Sequence, residues 1–109
     1  PGLATLAGHE ACLEVLRSAG FSLQATAHAY AVLDAFVYGF ALQETMLAQV
    51  DLDGSADELA ESMDLARFPR MHEFATEHVL QDGYAFAASF EVGLELVLDA
   101  LERLQAAFA

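Results

Sequence analysis

Apolar residues recur along this chain at three- and four-residue intervals, and no segment shows the two-residue alternation of a half-buried strand. Leu6, His9, Leu13 and Leu16 share one stripe and predict a helix over residues 3–19, with Gly20 as its stop. Ser22 is placed to cap a second helix over 22–49. After the turn DLDG, Ser55-x-x-Glu58 has the spacing of a capping box and predicts a short third helix to about residue 66. Pro69 suits the first turn of a fourth helix over 69–80, whose stripe is Met71, Phe74, Ala75 and His78. Asp82 and Gly83 break the chain before a last helix over 86–107. Long helices joined by short loops predict an all-α fold, an antiparallel bundle of about five helices in one domain covering 1–109.

The two long helices carry different patterns. In the last one, Phe90, Leu94, Val97, Leu101, Leu104 and Phe108 form one stripe and Glu91, Glu95, Asp99 and Glu102 the other. Arg103, four residues after Asp99, is spaced for a surface ion pair. The second helix has no such division: Asp34 is its only charged residue before Glu44. A helix apolar on every side has to be covered on both flanks, here by its own domain and by a second chain.

At about 100° per residue, Leu23, Ala27, Tyr30, Ala31, Asp34, Tyr38, Ala41 and Thr45 fall on one side of that helix. His28, Val32, Ala35, Phe36, Gly39, Gln43 and Met46 fall on the other. Small alanines beside two phenols and a carboxylate leave room and supply orienting groups, the makings of a ligand pocket. A closed hydrogen-bond network in a filled core is the competing reading of the same row. Either way a buried Asp34 needs a partner, because an uncompensated carboxylate would take up a proton. Ala35-x-x-x-Gly39 lets another helix come close, either from a second copy of the chain or from within it.

Composition narrows the function. Seventeen acidic residues face four arginines and no lysine, for a formal net charge of −13 over 109 residues. Such a chain repels phosphate backbones, so this piece by itself is not expected to bind DNA or RNA. The hydrophobic fraction of 56% exceeds what one small core needs, which points to an interface or a cavity. No unbroken apolar run reaches the ~18 residues of a membrane span and no leader is visible, so no membrane partner is expected, and the single cysteine makes a reducing cytoplasm the expected setting. Cys12 stands alone, so no intramolecular disulfide can form. A start at Pro1 rather than Met suggests a fragment or a processed chain.

Catalytic and metal chemistry finds little support. His72 and His78 are six residues apart and off a common face, and the HExxH spacing is missing. The loop Asp51, Asp53, Ser55, Asp57 has Ala56 and Ser62 where a calcium loop requires Gly and Glu. There is no glycine-rich phosphate loop and no local nucleophile signature, and Cys12 has no basic neighbour to activate it. The expectation is a binding module that is not an enzyme and carries no metal or cofactor.

The order of these segments resembles the C-terminal half of tetracycline-repressor-family transcriptional regulators. Residues 19–44, AGFSLQATAHAYAVLDAFVYGFALQE, are similar to that family's long central helix, and 69–80, PRMHEFATEHVL, to a shorter helix that follows it. Residues 90–104, FEVGLELVLDALERL, resemble the ending F-x-x-G-L-x-L-I/V-x-x-G-L-E, with Ala100 in place of the second glycine. The resemblance implies a homodimer that binds a small-molecule effector and touches operator DNA only through a helix-turn-helix domain missing from this chain. It implies a pocket lined by Leu6, His9, Leu13, Ala27, Tyr30, Ala31, Asp34 and Tyr38, with Met71, Phe74 and His78 of the short helix reaching the partner's pocket. It implies a four-helix dimer interface built from Val32, Ala35, Phe36, Gly39, Gln43, Phe90, Leu94, Val97, Leu101 and Leu104. Tetracycline-binding members carry a glutamate where Gln43 stands, and a neutral amide there argues against a magnesium–tetracycline chelate. A stand-alone helical dimerisation module without a ligand is the alternative.

Overall fold

The computed structural model describes residues 2–49, 58 and 61–109, and no strand occurs among them. The helices are α1 (Leu3–Ser18), α2 (Leu23–Leu47), α3 (Pro69–Phe74) and α4 (Ala88–Ala107). The described residues thus hold four α-helices rather than about five. The expected helix over 55–66 lies largely outside them, as does the acidic loop at 51–57. The described end of that segment is a 3-10 turn, Leu65–Arg67, which starts from Asp64 at φ 53°. The expected 69–80 helix is α-helical only to Phe74 and then continues as a π-helical turn, Ala75–Val79.

The chain divides into two compact units, Pro1–Leu42 with Phe90–Ala109, and Gln43–Ser89. In the first, local chemistry sets the corner between α1 and α2. Gly20 takes φ +94°, which a side chain would resist. The Gly20 N–H donates to the Arg17 carbonyl at 3.0 Å, and the Phe21 N–H to the Leu16 carbonyl at 3.2 Å. This is the Schellman closure, and its usual apolar contact is present because Leu16 and Phe21 share one buried cluster. Ser22 then caps α2 as expected, its Oγ accepting the Ala25 N–H at 3.0 Å.

The same hydroxyl donates to the carbonyl of Phe108, and the Gln105 amide donates to the Ala19 carbonyl at 3.3 Å. The end of α4 is therefore fastened to the α1–α2 corner. Its beginning lies at the far part of α2, where Phe90 stacks on Phe36 with centroids 5.3 Å apart. The two helices run antiparallel, and α1 is antiparallel to α2 by virtue of the short corner.

The buried cluster is small: Leu16, Phe21, Ala25 and Ala29, with Cys12, Tyr30, Leu101, Leu104 and Phe108 packed around it. Burying a leucine or phenylalanine contributes about 1.5–3 kcal/mol, while alanines at the centre let neighbouring helices come close. The inward stripe of α2 runs through Ala25, Ala29, Leu33, Phe36 and Phe40, which falls between the two faces that the sequence suggested. Ala35, expected to sit at a close helix approach, is exposed, and a Cβ added to Gly39 would meet nothing within 4 Å. Close packing inside the chain occurs instead at Gly93, where an added Cβ would lie 2.7 Å from the Phe36 ring.

By length and composition, Leu23–Leu47 does pass for a membrane span, with a mean hydropathy of 1.2 over its best window. Counting unbroken apolar runs missed this, because alanines and aliphatics outweigh Asp34 in a windowed mean. Among the described residues Arg103 makes no ion pair with Asp99. The ion pairs found are Arg67–Asp64 at 3.6 Å and Arg70–Glu73 at 3.1 Å, both exposed and worth little.

In the second unit, Leu65 and Ala75 are the buried pair. Pro69 occupies the first turn of α3, where its missing N–H is harmless. The following π turn is held by the Leu80 N–H donating to the Ala75 carbonyl at 2.9 Å. Gly83 turns the chain at φ +84°.

Candidate functional site

Antiparallel packing of α1 on α2 leaves a hollow of about 240 Å³ on one flank of the long helix. Gly8, His9 and Cys12 line it from α1, and Tyr30, Leu33, Asp34 and Val37 from α2. Gly8 contributes no side chain, so space remains opposite the α2 residues.

Tyr30 and His9 meet across this cleft. Their rings are edge to face with centroids 5.5 Å apart, and the phenol is hydrogen-bonded to the His9 Nδ1. Partial burial raises the Tyr30 pKa above the ordinary tyrosine value, and the nearby negative charge of Asp34 and then Cys12 raise it further. The phenol therefore stays protonated through the neutral pH range.

Asp34 is exposed, and among the described residues its carboxylate has no hydrogen bond or ion pair. This differs from the buried, partnered aspartate expected from sequence, because in the first unit the described helices packed on α2 are α1 and α4, and Asp34 sits at the open edge of the α1–α2 cleft. A closed Tyr30–Asp34–Tyr38 network is not formed either: Tyr30 bonds His9, and Tyr38 is 71% exposed.

Of the residues expected at a pocket, the cleft gathers His9, Tyr30 and Asp34. Leu6, Ala27, Ala31 and Tyr38 are exposed and Leu13 is half-buried, and none of the five lines it. Met71, Phe74 and His78 belong to the second compact unit, where Phe74 stacks on His78 at 5.8 Å and His78 meets Tyr84 edge to face at 5.3 Å. The sequence reading passed over Gly8, Cys12, Leu33 and Val37. On α2 the cleft is centred roughly 60° away from the Tyr30–Asp34–Tyr38 face, so Tyr30 stands inside it rather than at its margin. On α1, Cys12 lies one turn from His9, and that spacing was the available signal.

On the opposite flank, α2 and α4 border a second hollow of about 330 Å³, lined by Val32, Leu96, Val97, Ala100, Leu101 and Leu104. Every side chain here is hydrocarbon. Val32, Val97, Leu101 and Leu104 were expected at an interface, and Leu96, which is 67% exposed, and Ala100 join them. Phe36, Phe40 and Phe90 are in mutual ring contact inside the chain. Leu94 is half-buried, and Gln43 is exposed. Among the described residues, no group of three or more His, Cys, Asp or Glu side chains gathers as a metal site would require.

These elements form an all-α module whose longest helix borders a cleft with polar groups on one flank and an open apolar groove on the other. The family model described as "Tetracyclin repressor-like, C-terminal domain" matches residues 1–104, and the chain belongs to that family. Comparison with curated proteins gives no match, and neither does comparison with solved structures.

Proposed function

We propose that this chain is the effector-binding and dimerising part of a ligand-responsive transcriptional repressor. In this reading it acts without a cofactor and without catalysis, in the cytoplasm, and operator DNA is contacted by a helix-turn-helix domain outside the chain. Family membership supports the coarse role, and the contrast between the two flanks of α2 supports the division of labour. The apolar α2–α4 groove is the dimer surface, where Val32 and Leu96 stand more than half exposed. Covering them with a second copy accounts for the apolar α2 without placing it in a bilayer. The α1–α2 cleft is the effector site, with Asp34 selecting a ligand that carries a cationic or donor group.

The observation that carries the ligand reading is the unpartnered Asp34 carboxylate at the edge of an open cleft. A filled, ligand-free dimerisation module would have no use for that charge or that space. Effector binding would favour one arrangement of the helices over another and so shift the separation of the DNA-binding heads. Native mass spectrometry at micromolar concentration tests both parts. A dimer mass with a small co-purifying adduct is the expected result, and a stable, ligand-free monomer would refute the reading.

A further inference from the structure

The second compact unit contains a hollow that the proposed function leaves unused. Glu44, Leu47 and Ala48 at the end of α2 face Val79, Tyr84 and Phe86 across about 370 Å³. That volume falls at the small end of the range of ligand pockets. Two of the lining side chains are polar, the Glu44 carboxylate and the Tyr84 phenol, and among the described residues neither has a hydrogen bond or an ion pair. The unit's arginines do not neutralise Glu44, because Arg67 pairs with Asp64 and Arg70 with Glu73. Val79 reaches the hollow at the end of the Ala75–Val79 π turn, a helix form that is rare and frequent at functional sites.

A lone carboxylate on a hydrocarbon wall discriminates sharply. An anion is repelled, a neutral molecule of the same shape gains nothing from the carboxylate, and a cation pairs with it while its hydrocarbon fills the space. We propose that this hollow binds a small apolar amine, its ammonium donating to Glu44 and to the Tyr84 oxygen while Leu47, Val79 and Phe86 enclose its hydrocarbon. The site is separate from the α1–α2 cleft and does not depend on the repressor reading.

The test is an NMR titration of the whole chain with three probes of one shape: 4-phenylbutylamine, 4-phenylbutan-1-ol and 4-phenylbutanoate. The amine is expected to shift the backbone amides of Leu47, Val79, Tyr84 and Phe86, and to bind at least about tenfold more tightly than the alcohol. The carboxylate should not bind. Glu44→Gln should bring the amine down to the affinity of the alcohol, and Leu47→Trp should fill the hollow and remove both. Equal affinity for amine and alcohol would overturn the proposal, as would amine binding that survives Glu44→Gln. Shifts confined to His9, Cys12, Tyr30 and Asp34 would also overturn it, while leaving the effector cleft standing. Glu44 is exposed, so its substitution decides the matter even if Leu47→Trp fails to fold.

Discussion

The two flanks of α2 share one helix and differ in what faces it. Toward α1 the helix meets a glycine, an imidazole and a thiol, and it presents a phenol and a carboxylate in return. Toward α4 it meets leucines, a valine and an alanine, and it presents Val32. The first hollow can satisfy the hydrogen bonds of a small polar guest and hold it in one orientation. The second offers only removal of apolar surface from water, which a second helical surface supplies best. Hollows of similar size, about 240 and about 330 Å³, thus suit different occupants because of their polar groups.

Breaking the apolar flank should have the largest effect. Leu96→Glu puts a carboxylate into the proposed interface, twice over if the dimer is two-fold symmetric. We expect association to weaken by on the order of 5 kcal/mol, since uncompensated buried charges cost several kcal/mol each. Leu96 is already exposed in the single chain, so the helical circular-dichroism signal should persist. Sedimentation equilibrium checks this, and an unchanged dimer would move the interface elsewhere.

Asp34→Asn probes the polar flank. It keeps the shape and removes the charge, so affinity for a cationic effector that buries the carboxylate on binding should fall by about 2–5 kcal/mol in calorimetric titration. The melting temperature should hardly change, because Asp34 has no partner in the chain to lose. A large loss of stability with affinity intact would make Asp34 structural.

A pair of glycines separates packing within the chain from packing between chains. Gly93→Ala drives a methyl group against a Phe36 ring that is stacked on Phe90. Overpacking of about 1–3 kcal/mol is offset by about 1 kcal/mol of helix propensity, so a net loss is expected in chemical denaturation. Gly39→Ala meets nothing, and in the Leu96→Glu background it should stabilise by about 0.5–1 kcal/mol. In the proposed dimer of the parent chain the same change should weaken association if a partner helix approaches there.

The smallest effect concerns Tyr30→Phe, which removes the hydrogen bond to His9 and should lower the melting temperature by a few degrees. The sign of its pH dependence is fixed by a Tyr30 pKa that is higher in the folded chain than in the unfolded one. That stabilisation is complete below about pH 10 and is lost as pH rises through the folded pKa. As pH rises above about 10, the ordinary tyrosine value, the parent protein should therefore lose stability more steeply than the phenylalanine variant. Parallel slopes would show that the phenol is not perturbed by folding.

The site was legible in part. His9, Tyr30 and Asp34 were readable because polar groups at helical spacing stand out in an apolar stretch. Leu33 and Val37 were not, because their neighbours are just as apolar and nothing in their spacing singles them out, while Cys12 was marked only by its position one turn from His9. On α4 the inward stripe Phe90, Leu94, Val97, Leu101, Leu104 and Phe108 was plain, since charged residues mark the opposite side.

The sequence by itself determined where elements start and stop: the Gly20 closure, the Ser22 cap, Pro69 in the first turn of α3 and the Asp82–Gly83 break. These depend on contacts between residues a few positions apart, so the chemistry and its outcome lie in the same short stretch. Only the tertiary structure decided which arc of α2 faces inward, that Gly93 rather than Gly39 accepts a ring, and that Phe36 is spent inside the chain. A helix that is apolar all round gains nearly the same hydrophobic free energy in any rotation about its axis. Its orientation is therefore set by the shapes of α1 and α4 packed against it, and those shapes come together only in the folded protein.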